Sequence, residues 1–160
     1  MKYLEVVGDS KSEKYESLLN QIRNLINKDE NLISSLANVS AALKQTFDDF
    51  SWVGFYLFDG TKLFLGPFQG KVACTVIEIG KGVCGSSALK LETLVVSDVH
   101  KFEGHIACDS GSNSEIVIPM FNLDGLLGVL DIDSYKFGCF DETDQLYLEK
   151  IVRFLVEELF

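Results

Sequence analysis

The stretch SEIVIPMFNLDGLLGVLDID, residues 114–133, decides the fold class because it contains two strand-like runs joined by a tight turn. Residues 115–121 and 126–133 are short and rich in Val, Ile and Leu, and Asp124-Gly125 between them is typical of a hairpin turn. Asp131 and Asp133 are two residues apart, so on a strand both carboxylates point to one face of the sheet. The stretch predicts an antiparallel hairpin with one acidic face.

The register of this hairpin depends on the length of its turn. A three-residue turn at 123–125 would pair Asn122 with Leu126. Glu115 would then lie opposite Asp133, and with Asp131 three carboxylates would share one face. Like charges at this distance cannot all ionise, so at least one carboxyl should stay protonated near neutral pH and be able to donate a proton.

A turn of two or four residues without a bulge would move Glu115 to the opposite face. The other alternative is that all three carboxylates lie on a solvated surface. Asp is depleted in strands, and two in alternation within an apolar run weaken that alternative.

Outward from the hairpin, the hydrophobic period changes from two to that of a helix. Helices are predicted at 12–27, at 30–47 with Asn27 or Asp29 near its cap, and after Phe140 with Asp141 as cap and Asp144 three residues later. Further strands are predicted at 51–58, 62–67, 72–79 and 93–96.

These elements predict an α+β fold with a central, mainly antiparallel sheet and the terminal helices on one of its faces. The glycine-rich residues 80–100 should cross the other face as an irregular lid. We expect one domain over 1–160, with N-terminal helices in 1–47, the sheet and active-site loops in 50–134 and a C-terminal helix in 141–159.

Composition excludes several classes of function. The chain has 160 residues, 47% of them hydrophobic, which suffices for a buried core. A net charge of −10 argues against nucleic acid or an anionic membrane as partner. No signal peptide opens the chain and no apolar stretch reaches the ~20 residues of a membrane span, so we expect a cytoplasmic protein.

Three of the four cysteines have surroundings that favour reactivity. Cys74 and Cys84 have glycine nearby, and Cys108 follows His105 and precedes Asp109. Glycine and polar neighbours are typical of loops in which a sulfur stays reachable, so we expect thiol chemistry there. Cys139 should pack at a junction before the last helix.

Metal binding is not predicted from the cysteine spacing. The sequence has no CxxC or HxxxH pair, and only a composite zinc site built from distant residues would remain as an alternative. Trp52, the single tryptophan, either packs in the core or forms the wall of a ligand pocket.

Several segments together resemble the GAF-domain free methionine-(R)-sulfoxide reductases. They span residues 50–144 and include WVGFY (52–56), LGPFQG (65–70), GKGVCG (80–85), GHIACD (104–109), SEIV (114–117) and GVLDIDS (128–134). A general GAF sensor domain would not be expected to carry all three cysteines together with GHIACD. The resemblance implies a single GAF domain, for which a homodimer is plausible.

The resemblance also implies roles for individual residues. Cys108 resembles the attacking thiol, and Cys84 and Cys74 resemble the recycling cysteines that form a disulfide with it afterwards. The implied substrate-binding residues are Trp52, against the methyl group, and the carboxylates Glu115, Asp131 and Asp133, which hold the sulfoxide oxygen and the amine. No bound cofactor is implied, and thioredoxin, with NADPH and thioredoxin reductase, is the implied reductant.

Two other functions are compatible with parts of the sequence. A redox-sensing or small-ligand GAF binding module would show no turnover and would usually carry an output domain, which 160 residues do not accommodate. A thiol peroxidase would react through Cys108 with a hydroperoxide, but an acidic pocket suits an ammonium-bearing substrate better.

Overall fold

One six-stranded antiparallel sheet organises the computed structural model, which describes residues 3–160. The strands are β1 (Trp52–Phe58), β2 (Lys62–Gln69), β3 (Val76–Glu78), β4 (Leu94–Val96), β5 (Ser114–Asn122) and β6 (Gly125–Ser134). The helices are α1 (Lys11–Leu25), α2 (Leu32–Thr46), α3 (Gly82–Lys90) and α4 (Glu142–Leu159). The strand order is β3-β2-β1-β6-β5-β4, which confirms the predicted α+β class.

Strand alternation divides the core into two layers. Val53, Phe55 and Leu57 of β1 lie in the large cluster formed with α1, α2 and α4. Trp52 and Tyr56 of the same strand lie in the second cluster, with α3. The terminal helices therefore cover one face, as predicted, and the second face is left for the site.

Side-chain caps begin helices α4 and α2. Asp141 accepts from the backbone of Thr143 and Asp144, and the Asp144 side chain completes the capping box, as predicted. The predicted cap of α2 was wrong. Asn31 is the cap and accepts from Ile33 N–H at 2.8 Å, whereas the Asn27 side chain accepts from Asp29 N–H in the preceding turn.

The segment 80–100 does cross the second face, but the prediction of an irregular lid was wrong because it contains helix α3. The sequence did not predict this helix because it contains Gly82 and Gly85, and glycine has low helix propensity. Gly85 is needed because a Cβ there would overlap the Glu78 carbonyl oxygen, where α3 approaches β3. Strand 72–79 is also shorter than predicted, being paired only over Val76–Glu78.

The β5–β6 turn has two residues rather than the predicted three, because Asn122 pairs with Gly125. A bulge compensates. Phe121 pairs with Leu126 and Met120 with Gly128, so Leu127 has no partner on β5. The extra residue on β6 shifts the pairing by one position, which offsets the shorter turn. Glu115 therefore pairs with Asp133 as predicted.

Within the described part of the chain, no helix is both long and apolar enough to cross a membrane.

Candidate active site

Three carboxylates meet on the face of the sheet opposite the terminal helices. Trp52, Asp133 and Glu115 form a row across β1, β6 and β5, because Asp133 pairs with both of the others. Asp131 lies two residues along β6, opposite Gly54. Glu115 and Asp131 are each 6% exposed, and all three carboxylates line one pocket with Trp52.

Burial makes these carboxylates hold protons more tightly than in water. Burial, and then the nearby Asp131 and Asp133 carboxylates, raise the pKa of Glu115 well above its usual range. Burial raises the pKa of Asp131 to about 6. Burial and the neighbouring Asp131 also raise the pKa of Asp133. Near neutral pH the cluster therefore retains protonated carboxyl groups that can donate hydrogen bonds.

An aromatic wall borders the carboxylates. Trp52 is 4% exposed and stacks on Phe68 with 5.3 Å between ring centroids. Its Nε1–H donates to the Lys71 carbonyl at 3.0 Å, which fixes the indole plane. Gly54 makes room for this ring, since a Cβ there would overlap it. Tyr56, two positions further along the same face, stacks 6.0 Å from Trp52.

A disulfide joins Cys74 and Cys108 beside the pocket. Their Cα atoms are 5.5 Å apart, although the residues are 34 positions apart in sequence. The segment holding Cys74 is attached to the site because Tyr56 Oη donates to the Cys74 carbonyl at 3.0 Å. Of Cys74 and Cys84, the two cysteines expected to pair with Cys108, the structure pairs Cys74 with it.

Cys84 is not in an accessible loop as expected. It is the third residue of α3, only 4% exposed, and its thiol points to Glu115 with Sγ 3.9 Å from Oε1. Burial, followed by the charges of Asp131, Glu115 and Asp133, raises the pKa of the Cys84 thiol well above its usual range. The group is a neutral thiol. Cys139, by contrast, packs against the helix-side core, as predicted.

His105 adds an imidazole to the pocket, which sequence analysis left without a role. Its Nε2 lies 3.9 Å from Glu115 Oε2. Burial, and then His100, lower its pKa, so the ring is neutral at physiological pH. Its position in the GHIACD motif was the only sequence signal.

A second group outside the predicted set holds the two disulfide segments together. Tyr135 Oη donates to Asp109 Oδ2 at 3.1 Å, and Lys71 Nζ lies 3.9 Å from Asp109 Oδ1. Lys71 Nζ also lies 5.2 Å from the centroid of the Tyr135 ring. Asp109 follows Cys108 directly and Lys71 precedes Cys74 by three residues, so this Lys71–Asp109–Tyr135 clasp ties both segments to the end of β6.

The pocket in this disulfide form has a volume of about 40 Å³. Its walls carry every predicted site residue except Cys74: Trp52, Cys84, Cys108, Glu115, Asp131 and Asp133. Tyr56 and His105 also line it. The sequence could have predicted Tyr56, since it lies four residues after Trp52 on the same strand and therefore on the same face of the sheet.

Comparison with known proteins places the chain among GAF domains. A GAF-domain family model matches residues 32–155. GAF domain-containing protein A of Dictyostelium discoideum is 52% identical over 153 residues, which are 95% of this chain and 96% of that protein. Free methionine-R-sulfoxide reductase of Escherichia coli K12 is 44% identical over 143 residues, 89% of this chain and 87% of that protein.

The backbone is similar to that of a solved structure. The X-ray structure of free methionine-R-sulfoxide reductase from Neisseria meningitidis in complex with its substrate has a TM-score of 0.94 and 44% identity. The match covers 99% of this chain and 95% of that one. The similarity therefore extends over nearly the whole chain in both sequence and fold.

Proposed function

This chain belongs to the free methionine-R-sulfoxide reductases of the GAF-domain family, and we propose that it reduces free methionine-R-sulfoxide to methionine. One observation carries the proposal: the Cys74–Cys108 disulfide lies beside a pocket whose floor is a protonated carboxylate cluster. A thiol next to a proton donor is what reduction of a sulfoxide requires.

Glu115 is the proposed proton donor. A sulfoxide sulfur becomes electrophilic when its oxygen accepts a proton or a strong hydrogen bond. The raised pKa of Glu115, caused first by burial, keeps its carboxyl protonated for this purpose. Asp131, whose pKa burial raises only to about 6, supplies the negative charge for the α-ammonium of the substrate, and Asp133 borders that position as a hydrogen-bonding carboxyl. Trp52 supplies an apolar surface for the methyl group.

The reaction balances in three steps. Cys108 attacks the polarised sulfoxide sulfur, the S–O bond of the substrate breaks, and methionine leaves while the oxygen is transferred to Cys108 as a sulfenic acid. The Cys74 thiol then attacks the Cys108 sulfur, so that water leaves and the observed disulfide forms. An external dithiol reduces this disulfide by exchange and restores both thiols.

Thioredoxin, in turn reduced by NADPH through thioredoxin reductase, is the proposed dithiol, and the cytoplasm is the proposed compartment. The support is chemical, because a protein that needs its disulfide reduced in every cycle requires a reducing compartment. No bound cofactor is needed, since the electrons come from thiols.

Restriction to the free amino acid follows from the buried charge. Asp131 is 6% exposed, so its carboxylate is poorly solvated. A buried carboxylate needs a cation as partner, and the α-ammonium of the free amino acid supplies one. A peptide-bound methionine sulfoxide lacks the α-ammonium, and its flanking chain would have to leave a narrow pocket.

The test is a thioredoxin-coupled assay that follows NADPH oxidation. We expect turnover with free methionine-R-sulfoxide and little with the S-epimer or with a peptide-bound sulfoxide. Comparable rates with the peptide would contradict the assignment, and no turnover with any sulfoxide would favour a GAF binding module instead.

A further inference from the structure

A second chemistry is available where α3 meets the carboxylates. One oxygen each from Glu115 and Asp131 and the Cys84 sulfur lie within 4.8 Å of one another, and all three residues are buried. The three residues come from α3, β5 and β6, so the sheet and the helix fix their separation. None of them takes part in the disulfide.

One atom of this group lacks a partner. Asp131 is only 6% exposed, and its Oδ1 atom is buried without a hydrogen bond among the described residues. A buried acceptor left unpaired costs about 1–3 kcal/mol, and more when it is charged. An oxygen held there, facing a cavity that Cys84 and Glu115 also line, marks a position for a bound cation or donor.

The donor set selects among cations. A sulfur ligand is poor for Mg²⁺ and Ca²⁺, which prefer oxygen, and suits Zn²⁺, which binds Cys, His and carboxylates. Tetrahedral Zn²⁺ with bonds of about 2.0–2.3 Å places neighbouring ligand atoms roughly 3.3–3.7 Å apart. The observed 3.9 Å between Cys84 Sγ and Glu115 Oε1 is close to this value.

We propose that Cys84, Glu115 and Asp131 bind Zn²⁺, with His105 as the fourth ligand. His105 Nε2 lies 3.9 Å from the other oxygen of Glu115 and lines the same cavity, so it is the nearest imidazole to the three residues. The cavity of about 40 Å³ accommodates an ion in the disulfide form. On binding, the Cys84 thiol and the Glu115 carboxyl each give up a proton to solvent and ligate as thiolate and carboxylate.

The consequence is inhibition by zinc, and this part rests on the proposed function. Glu115 and Asp131 would serve either the metal or the substrate, so Zn²⁺ and free methionine-R-sulfoxide should exclude each other. The reductase would then be silenced by zinc without oxidation of its catalytic thiols.

The binding test uses Co²⁺ as a spectroscopic substitute for Zn²⁺ on the disulfide-bonded protein. In that form Cys84 and Cys139 are the only thiols among the described residues, because Cys74 and Cys108 are bonded to each other. We expect a near-ultraviolet thiolate-to-cobalt absorption band that Zn²⁺ removes by displacement. The band should be lost in Cys84→Ser and kept in the matched variant Cys139→Ser.

A second variant tests the site without removing a cysteine. Asp131→Asn keeps the size of the side chain and all thiols, and should weaken Co²⁺ binding by about 100-fold or more. Absence of the band in the wild-type protein, its persistence in Cys84→Ser, or unchanged affinity in Asp131→Asn would overturn the proposal.

The reductase assay separates the two claims. A cobalt band without sulfoxide turnover would leave the metal site standing while the proposed function fails. Turnover that Zn²⁺ does not inhibit, in a protein that shows the band, would contradict mutual exclusion.

Discussion

At the scale of residues, the four cysteines lie in three different environments. Cys74 and Cys108 are joined at the pocket, Cys84 is a buried neutral thiol against Glu115, and Cys139 packs in the helix-side core. Reactivity follows environment because only an accessible thiolate is a strong nucleophile. The identity of the nucleophile can therefore be tested one cysteine at a time.

Single-turnover release of methionine without reductant should separate the thiols. Cys108→Ser should release none, because a neutral hydroxyl is a far weaker nucleophile toward sulfur. Cys74→Ser should still release about one methionine per site, since attack precedes disulfide formation, but should lose steady-state turnover. Cys139→Ser serves as the control and should match the wild type. A stoichiometric burst from Cys108→Ser would mean that another residue attacks.

Asp131 should lower stability at neutral pH in return for function. Its pKa is raised to about 6 by burial, from 3.8, which corresponds to about 3 kcal/mol. A raised carboxyl pKa means that the folded state binds the proton more tightly. The destabilisation is therefore absent below the unfolded pKa, grows as pH rises, and is complete above the folded pKa.

Asp131→Asn should accordingly raise the free energy of unfolding by up to about 3 kcal/mol near pH 7.5 and by little near pH 4. Urea denaturation at both pH values measures this difference. Asp124→Asn, in the exposed hairpin turn, removes the same charge at a site outside the pocket and is the matched control. A loss of stability in Asp131→Asn at neutral pH would show that the carboxylate is paired rather than strained by burial.

At the scale of elements, the β5–β6 bulge decides which face Glu115 occupies. The two-residue turn alone would put Glu115 among the helix-side core residues, and the unpaired Leu127 reverses this. Deleting Leu127 should therefore lower the reductase activity by about 100-fold or more. It should also lower the free energy of unfolding, because a carboxylate would enter an apolar layer.

A compensating insertion makes the deletion interpretable. One glycine added between Asp124 and Gly125 gives a three-residue turn, which restores the parity without a bulge. The double variant should recover both activity and the unfolding midpoint. If the deletion alone keeps wild-type activity, the bulge does not control the site.

The Lys71–Asp109–Tyr135 clasp should act on the second chemical step. By tying the segments of Cys74 and Cys108 together, it shortens the search that precedes disulfide formation. Tyr135→Phe removes the hydrogen bond to Asp109 but keeps the ring beside Lys71. We expect disulfide formation to slow by about 10-fold, the effect of losing one hydrogen bond to a charged group.

Rapid-quench mass analysis of sulfenic acid and disulfide measures this step. The burst of methionine should be unchanged in Tyr135→Phe, because the Tyr135 hydroxyl contacts the clasp and none of the proposed substrate-binding side chains Trp52, Glu115, Asp131 and Asp133. Tyr3→Phe, which removes an exposed hydroxyl bonded to Glu5, is the control. A reduced burst with normal disulfide formation would assign Tyr135 to substrate binding instead.

At the scale of the whole molecule, the disulfide form has a pocket too small for its substrate. A volume of about 40 Å³ holds a few water molecules, whereas methionine sulfoxide has about ten non-hydrogen atoms. Reduction frees Cys74 and Cys108 from each other, so the segments that carry them can separate. Substrate should therefore enter only after the reductant has acted.

Calorimetric titration with free methionine-R-sulfoxide should detect no binding to the disulfide form. The suitable reduced form is Cys108→Ser, in which neither the disulfide nor turnover can occur, and it should bind. Equal affinity of the two forms would show that the pocket opens without reduction.

The sequence by itself determined the features that depend on near neighbours along the chain. The pairing of Asp131 with Asp133 on one face follows from the two-residue period of any strand, and the cap at Asp141 follows from its first turn. The α+β class followed from the order of such periods, and the family from motifs in the cysteine segments.

Only the tertiary structure decided what depends on distance across the chain. The predicted three-residue turn was wrong, but the predicted pairing of Glu115 with Asp133 was correct. The bulge at Leu127 shifts the pairing by one residue and offsets the shorter turn. The choice of Cys74 over Cys84 required segments 34 residues apart to be brought within 5.5 Å. Helix α3 was not predicted because it contains Gly85, a poor helix former. The glycine is required by the close packing of α3 against the Glu78 carbonyl of β3. In each case the deciding contact joins residues that no local pattern relates.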